Sequence, residues 1–385
     1  MFFIVALTIL CSMHGYVAFK LLHPYNLPLS KSIYIYGIVL LFSMLPILPI
    51  LLRMMGNESK ILDKISLIGY TSLGFFTLSF VLFIAKDFFN QLLIFSEKFI
   101  GIIHPVDDSK REFIKKSISI GIFSIAGSAS LYGYKQARNG PQIIYQDVYL
   151  DKLPIQFDNY RIAQISDLHV GPTIKRPYVE GVLDKISHLN PDMVVVTGDL
   201  IDGSVNYLKK DMEPLVNMIA PNGTFFVTGN HEYYSGVDQW LDETNNLGFT
   251  NLLNSHQIIK KENSSIAIAG VTDYRAHQIK STHKTDPNKA LLGLSESTLK
   301  IVLAHQPASI FKVHEAGADL QLSGHTHGGQ FWPFTYPTRW ANPYLEGLHN
   351  HHGTQIYVNR GTGYWGPPLR IGVPAEITLF QLRKK

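Results

Sequence analysis

The stretch Arg161-Ile-Ala-Gln-Ile-Ser-Asp-Leu-His169 sets the pattern that decides the fold of the C-terminal part of the chain. A short run of mostly apolar and β-branched residues ends abruptly in a carboxylate and an imidazole. Apolar runs of four or five residues without polar alternation are typical of strands that are buried on both faces. The same pattern, an apolar run that ends in polar residues able to bind metal, recurs four times, at Asp192–Asp199, Thr224–Glu232, Lys300–His305 and Asp319–His327.

Segments with helical periodicity lie between these predicted strands. Apolar residues recur at helical spacing over 176–190, where Asn190-Pro191 ends the pattern, and Asp211–Ala220 is predicted as a second helix. Strand, helix and strand in succession indicate an α/β domain. Ligands of such sheets gather at the carboxyl ends of the strands. We therefore expect the Asp, His and Asn side chains that follow the strands to meet at one edge.

The residue types at these strand ends are those that bind divalent cations. Asp167 and His169 are two residues apart, so in an extended segment both side chains would point to one face, and His325 and His327 share that spacing. Asp199 follows a glycine and could bridge two ions through its two oxygens. Carboxylate, amide and imidazole donors without thiolate suit manganese, iron, zinc or cobalt.

Two such cations predict a particular chemistry. When they lie ~3.5–4 Å apart, they lower the pKa of a shared water and hold the oxygens of an in-line phosphoryl displacement. The sequence therefore predicts hydrolysis of a phosphomonoester, phosphodiester or pyrophosphate bond by metal-activated hydroxide. One fragment of this kind is weak evidence, whereas five fragments in order, each after a predicted strand, carry the inference.

The order D-x-H, G-D, G-N-H-E, H and G-H-x-H resembles the pattern of the calcineurin-like metallophosphoesterase superfamily. The block GHTHGGQ at Gly324–Gln330 and the segment from Arg360 to Ile377 are similar to those of bacterial membrane-anchored phosphoesterases. The resemblance covers residues 155–380 with high specificity and the N-terminal region only loosely. It implies an α/β fold in which a two-sheet β-sandwich is flanked by helices.

The resemblance also implies roles for individual residues. Two divalent ions, with manganese expected first and iron, zinc or cobalt as alternatives, would share Asp199. His231 would donate a proton to the leaving oxygen and would not bind metal. One ion would be held by Asp167, His169, Asp199 and His327, and the other by Asp199, Asn230, His305 and His325.

Other residues have both a functional and a structural interpretation. Asp202 could orient a metal ligand or lie in a solvated turn, and Glu232 is expected to support its loop. Arg360 and Arg370 could bind phosphate oxygens, because the guanidinium fork fits phosphate. A histidine cluster could form a substrate-contacting loop, although an exposed polar loop is favoured; it comprises His349, His351 and His352 before a predicted strand over 355–359.

The N-terminal part of the chain is apolar enough for a membrane. Hydrophobic residues make up 46% of the chain and concentrate before residue 150. Four stretches approach the ~20 residues that cross a bilayer, and Phe88–Ile103 is predicted as an interfacial helix because it contains charges. The predicted organisation is a membrane region over 1–135, a linker over 136–154 and the phosphoesterase domain over 155–385. The four stretches are Phe2–Leu22, Ile33–Leu52, Ile65–Ala85 and Ser117–Tyr134.

The distribution of positive charge predicts the orientation of a multi-pass protein in the cell membrane. With four spans, eight Lys and Arg residues near the span ends fall on one side and five on the other. Because cytoplasmic loops are richer in Lys and Arg, residues 135–385 are expected outside the cytoplasm. The run Ser109–Lys115 resembles a twin-arginine export signal with Lys in the place of one Arg, or is a basic flank before an ordinary helix.

Two further classes of function are weighed against the enzyme. A membrane-tethered sensor or binding protein could use the metal domain only to recognise phosphate, but a binder needs no proton donor such as His231. A nuclease is disfavoured because residues 151–385 carry a net charge of −1, and nucleic acid is therefore not an expected partner. The expected partners are a phosphoester substrate, with lipid-linked or nucleotide-linked forms considered, and the lipid bilayer.

Overall fold

The structure is a computed structural model that describes residues 2–100 and 108–385. It divides into two compact units. The N-terminal unit comprises Met1–Lys135 together with Gly366–Leu369, and the C-terminal unit comprises Gln136–Trp365 together with Arg370–Lys385.

The N-terminal unit is helical. Three of its helices are long and apolar enough to cross a membrane, over Ile4–Tyr25, Leu29–Met54 and Lys60–Ser96. The fourth predicted stretch forms a helix that is not among these three. The α-helices of the N-terminal unit are α1 (Phe2–Leu22), α2 (Leu29–Met44), α3 (Leu48–Met54), α4 (Lys60–Ile100) and α5 (Asp108–Arg138).

The predicted interfacial helix over Phe88–Ile103 is not a separate element. Residues 88–100 continue α4 without a break, and residues 101–103 lie outside the described part of the chain. The charges that argued against a membrane span therefore fall within the final turns of one long helix.

Helix α5 packs along α1 and α4 within the N-terminal unit. The rings of Phe75 and Phe123 meet edge to face with their centroids 4.7 Å apart, and Ala126 is fully buried. Nearer the start of α5, the Ser119 hydroxyl donates to the backbone oxygen of Lys20 over 3.5 Å. This helix therefore runs beside the apolar helices rather than away from them.

The C-terminal unit contains twelve strands and seven α-helices. Its strands are β1 (Gln142–Leu150), β2 (Arg161–Ile165), β3 (Met193–Val196), β4 (Thr224–Phe226), β5 (Thr250–Asn251), β6 (Ser255–Lys261), β7 (Ser264–Gly270), β8 (Leu299–Leu303), β9 (Leu320–Ser323), β10 (Gly347–His351), β11 (Thr354–Val358) and β12 (Glu376–Lys384). Its helices are α6 (Arg176–Leu189), α7 (Val205–Met212), α8 (Asn230–Tyr234), α9 (Val237–Asn246), α10 (Pro287–Ala290), α11 (Ile310–Glu315) and α12 (Thr335–Ala341).

The strands form two six-stranded sheets. The first has the order β1-β12-β2-β3-β4-β5 and the second the order β10-β11-β9-β8-β7-β6. Strands β2 to β5 are parallel, as are β7, β8, β9 and β11. One buried apolar cluster contains side chains of both sheets, such as Ile162 and Val195 with Ile268 and Ile301. This two-sheet sandwich flanked by helices confirms the predicted fold class.

The boundaries of two predicted segments need correction. Residues Gln142–Leu150, inside the predicted linker 136–154, form β1 and pair in parallel with the whole of β12. The predicted helix Asp211–Ala220 begins earlier, at Val205, and gives way to a 3-10 helix at Glu213. The Ser204 side chain caps α7 by accepting from the Tyr207 amide over 3.3 Å, and Pro214 follows in the 3-10 helix.

Candidate metal centre

Loops that follow neighbouring strands are hydrogen-bonded to one another at one edge of the sandwich. The amide of Asp167, after β2, donates to the oxygen of Gly198, after β3, over 3.0 Å. The amide of Gly324, after β9, donates to the oxygen of His305, after β8, over 2.9 Å. The predicted convergence of strand ends is therefore present, and the candidate ligand side chains meet there.

Asp167, His169 and His327 form one group of donor atoms. The Nε2 atoms of His169 and His327 are 3.1 Å apart, and His327 Nε2 lies 3.4 Å from Asp167 Oδ1. All three residues are buried, and their donor atoms lie within 4.8 Å of one another. Such spacing fits three ligands around one cation.

Asp199, His305 and His325 form a second group on the other side of Asp199. His305 Nε2 lies 3.2 Å from Asp199 Oδ2 and 3.2 Å from His325 Nδ1. The same Oδ2 atom is 3.9 Å from His169 Nε2, which belongs to the first group. The Asp199 carboxylate therefore lies between the two groups of donors.

Asn230 supplies an independent indication of a cation. Its side-chain oxygen is buried and has no hydrogen-bond partner within the described part of the chain. A buried amide oxygen without a partner costs about 1–3 kcal/mol, so native proteins rarely leave one. Coordination of a cation would satisfy this atom. The donor set of carboxylates, imidazoles and one amide oxygen thus fits a divalent metal site.

The backbone around the donors differs from the extended conformation that the sequence suggested. Asp167, His169, Asp199, His325 and His327 all have positive φ angles, between 50° and 73°. His325 and His327 lie in different donor groups, so their equal spacing does not make them a pair around one cation. Positive φ is uncommon for residues other than glycine and costs on the order of 1–3 kcal/mol each, which is characteristic of functional sites.

Two glycines allow the loops to approach the carboxylates. A Cβ atom at Gly324 would collide with Ser166 Oγ and Asp167 Oδ2, and one at Gly229 would collide with Asp199 Oδ1. Any side chain at either position would therefore push a donor out of place. The glycines of the G-N-H-E and G-H-T-H segments are required by this packing.

The electrostatic environment keeps Asp199 ionised. Burial disfavours its charge, but His305, His231 and His169 outweigh this and hold the pKa of the Asp199 carboxyl well below its usual range. Burial is the largest influence on Asp167 and raises the pKa of its carboxyl. A cation beside Asp167 would oppose that effect and favour the carboxylate.

His231 lies beside the centre with a carboxylate on each side. Its Nδ1 is 2.5 Å from Asp202 Oδ1, and its Nε2 is 3.9 Å from Asp199 Oδ2. Burial favours the neutral ring, yet Asp199 and Asp202 together raise the pKa of His231 to about 10. These two carboxylates therefore favour the protonated form of the imidazole, which can donate a proton.

Asp202 proves to be an orienting residue rather than a solvated turn residue. The same Oδ1 atom that contacts His231 lies 3.1 Å from His169 Nδ1. These two imidazoles outweigh burial and lower the pKa of Asp202. Carboxylates that bind the distal nitrogen of a ligating histidine fix its ring and tautomer. The signal in the sequence was the spacing of three residues from Asp199 to Asp202.

Arg370 and Glu232 hold the loops of the centre. Arg370 is buried and donates to the backbone oxygens of His327 and Gly363 over 3.0 and 2.5 Å. Glu232 accepts from the amides of Gly229, Asp199 and Leu200, which agrees with its expected support of the loop. Both terminal nitrogens of the Arg370 guanidinium contact protein atoms, which favours support of the loops over a phosphate-binding role.

Other candidates from the sequence have structural partners of their own. Arg360 donates to Glu376 over 2.5 Å, so its guanidinium is engaged in an ion pair. His349 and His351 belong to strand β10, and β11 begins at Thr354 rather than at residue 355. Within the described residues, the potential metal-binding groups include none of the three clustered histidines.

Two aromatic residues beside His231 escaped the sequence reasoning. The ring centroid of Trp365 lies 5.7 Å from that of His231, and the ring of Tyr234 lies 5.4 Å away. Both side chains are more than half exposed. Tyr234 lies two residues after the G-N-H-E block, and this proximity is the one local signal that could have identified it.

The fold and the donor set define the class to which the chain belongs. The sequence model of the calcineurin-like phosphoesterase family matches residues 160–329. With the relatives described next, this match shows that the chain belongs to the calcineurin-like metallophosphoesterase family. Members of this family are metal-dependent phosphoesterases, and the clustered His and Asp residues point to binding of divalent metal.

Three relatives span most of the chain. An uncharacterized metallophosphoesterase of Helicobacter pylori strain J99 is 36% identical, over 80% of this chain and 81% of the relative. A transmembrane protein with a metallophosphoesterase domain from Danio rerio is 35% identical, over 68% of this chain and 61% of the relative. An uncharacterized metallophosphoesterase of Bacillus subtilis is 32% identical, over 71% of this chain and 98% of the relative.

Membrane association is supported by the same findings. Three N-terminal helices of the described chain are long and apolar enough to cross a membrane, and the Danio rerio relative is named as a transmembrane protein.

Proposed function

We propose that this protein is a membrane-anchored hydrolase of phosphoester bonds with a dinuclear metal centre. Asp199 would bridge the two ions, and His231 would be the general acid. The observation that carries the proposal is the position of the Asp199 carboxylate, 3.2 Å from His305 and 3.9 Å from His169, between two separate groups of donors.

The proposed ligand sets follow the two groups. The first ion would be held by Asp167, His169, Asp199 and His327, and the second by Asp199, Asn230, His305 and His325. Two bound cations would supply a water of lowered pKa and positive charge toward the phosphoryl oxygens. Manganese is the metal expected first, with iron, zinc or cobalt as alternatives.

His231 has the surroundings that a proton donor needs. Asp202 holds its Nδ1, so Nε2 is the atom available to protonate the leaving oxygen. A sensor that only bound phosphate would need neither this proton nor the carboxylate that retains it. The pair of Asp202 and His231 therefore favours an enzyme over a binding protein.

The substrate classes considered are phosphomonoesters, phosphodiesters and pyrophosphates, including lipid-linked and nucleotide-linked forms. Trp365 and Tyr234 present exposed rings beside His231, which suit a leaving group with an apolar or flat face. A nucleic-acid substrate is disfavoured by the net charge of −1 over residues 151–385.

The test is turnover by the full-length protein in detergent after removal of metal with a chelator. Manganese, zinc and iron are added back separately, and hydrolysis is followed on an alkyl phosphomonoester, a phosphodiester and a lipid pyrophosphate. We expect no turnover by the stripped protein and recovery with one metal or more. Metal-dependent binding of a phosphate ligand without turnover of any substrate would support the sensor instead.

We further propose that the protein is multi-pass and that its C-terminal unit lies outside the cytoplasm. Helix α5 packs along α1 and α4, which supports a fourth crossing in addition to the three apolar helices. A reporter that fluoresces only in the cytoplasm, fused after Lys385, should then remain dark in intact cells. Bright fluorescence of an intact fusion would place the C-terminal unit in the cytoplasm and would overturn the proposed orientation.

A further inference from the structure

A cavity of about 400 Å³ lies within the N-terminal unit, where α1, α4 and α5 approach one another. Its size is in the range that holds a small molecule. One part of its wall is basic, with Lys20, Lys86 and Lys115. Another part is apolar, with Phe19, Ile114 and Ile118.

The basic wall carries more positive charge than its neighbours neutralise. Asp87 pairs with Lys20 over 2.5 Å and with Lys86 over 3.7 Å, so a single carboxylate serves two ammonium groups. Lys115 has no ion pair within 4 Å among the described residues, and the nearby Glu112 pairs with Lys116 instead. Lys20 and Lys86 are partly buried, whereas Lys115 is exposed. Partly buried ammonium groups that exceed their counter-charges favour binding of an anion.

The position of the lysines along their helices indicates the depth of the cavity. Lys20 lies near the end of the apolar span Ile4–Tyr25, and Lys86 directly follows an apolar stretch of α4. Lys115 precedes the apolar part of α5. Lys20 and Lys115 thus lie toward the ends of apolar stretches, and Lys86 follows the apolar run 65–85 inside the longer candidate span Lys60–Ser96. The ends of apolar stretches are the level at which a bilayer places its phosphate groups.

We propose that this cavity binds the phosphate headgroup of an anionic membrane phospholipid, for which phosphatidylglycerol serves as the probe. Lys20, Lys86 and Lys115 would surround the phosphate oxygens, while Asn90 and Ser119 offer hydrogen-bonding groups in the same wall. The apolar side chains would contact the glycerol backbone and the first carbons of the acyl chains. The proposal rests on membrane insertion of the helices and does not depend on the hydrolase activity.

The experiment uses the full-length protein in nanodiscs of phosphatidylcholine, with and without phosphatidylglycerol. Retained lipid is counted by native mass spectrometry, and affinity is taken from the rise in unfolding temperature as phosphatidylglycerol is added. The variant Lys86→Gln/Lys115→Gln should bind phosphatidylglycerol about 30-fold more weakly, because each lysine near the membrane surface contributes about fivefold. Lys115 is exposed, so Lys115→Gln alone keeps the test available if the double variant does not fold.

The matched control is Lys31→Gln/Lys110→Gln. Both residues are exposed, are predicted on the same membrane side and do not line the cavity. This variant loses the same charge and should retain wild-type affinity. Equal weakening in both double variants would mean diffuse attraction to the membrane surface and would overturn the proposal. So would equal affinity for the two lipids, or stabilisation by inorganic phosphate to the same extent as by phosphatidylglycerol.

Discussion

The two sides of the candidate metal centre are supported in different ways. On the first side, formed by Asp167, His169 and His327, charged groups orient the imidazoles: Asp202 contacts His169, and Arg370 lies 3.3 Å from Nδ1 of His327. On the second side, formed by Asn230, His305 and His325, the Nδ1 of His305 contacts only the backbone oxygen of Thr197, at 2.7 Å.

The two sides also differ in charge. The first side has a carboxylate of its own in Asp167, whereas the second side has only neutral donors and depends on the shared Asp199. Attraction between a cation and its ligands grows with the number of anionic ligands. We therefore infer that the first side binds its ion more tightly and that the second ion is lost first when a chelator is added.

The largest expected effect follows from removing the carboxylate that the two sides share. Asp199→Asn should strip at least one ion and reduce phosphoesterase activity to the level of the chelator-treated protein, because neither side then has its bridging charge. Elemental analysis and turnover measure this. Asp184→Asn, at an exposed carboxylate of α6, is the control and should change neither. Retention of two full equivalents of metal in Asp199→Asn would show that Asp199 is not the bridge.

His231 lies beside both sides of the centre, and its replacement should lower turnover without lowering the metal content. His231→Ala should keep its ions and lose about 10²–10⁴-fold in rate on an alkyl phosphoester. The loss should be distinctly smaller on an aryl phosphoester, whose leaving group departs without a proton. These two rates are measured with metal content on the same sample.

Three other outcomes for His231→Ala have definite meanings. Loss of metal would make His231 a ligand, since its ring shares a donor group with His169 and Asp199. Equal rate losses on both substrates, with metal intact, would indicate stabilisation of transition-state charge. No loss on either substrate would favour the sensor.

The sequence predicted which residues converge because continuous apolar strands define where polar loops begin. The runs before Asp167, Asp199 and His305 are buried strands in the structure, and each run is followed by its predicted donor. Parallel pairing then brings neighbouring strand ends to one edge. The convergence depends on hydrophobic burial, which a single sequence displays directly.

The local geometry could not be predicted in the same way. Positive φ at residues such as Asp167 and His327 is stabilised by contacts with other parts of the fold. No local sequence pattern predicts it. Strand β1 was missed for a related reason. It alternates exposed residues such as Tyr145 and Tyr149 with buried ones at the edge of a sheet, so it lacks the continuous apolar run of the central strands.

Asn230 tests the inferred weakness of the second side. Loss of an outer partner of a ligand costs about 10–100-fold in metal affinity. Because Asn230 would itself be a ligand, Asn230→Ala should lower the affinity for the second ion by at least about 100-fold and leave the first ion in place. Asn230→Asp adds an anionic ligand to the second side and should therefore reduce the difference in affinity between the two ions. Metal content during titration with a chelator measures both. A single, simultaneous loss of both ions in the wild-type protein would contradict the asymmetry.

The smallest effect is expected at Asp202, which contacts both His169 and His231 but would bind no ion. Asp202→Asn keeps the shape and can still accept one hydrogen bond, but it removes the charge that orients His169 and retains the proton of His231. Loss of such an outer partner costs about tenfold in metal affinity or in rate. Because Asp202 contacts His169 and no ligand of the second side, the affinity for the first ion should fall while the affinity for the second stays unchanged.

Chelator titration with elemental analysis measures these two affinities in Asp202→Asn against wild-type protein and Asp184→Asn. If Asp202→Asn loosened the second ion instead, the orientation of His169 would not be what stabilises the first side.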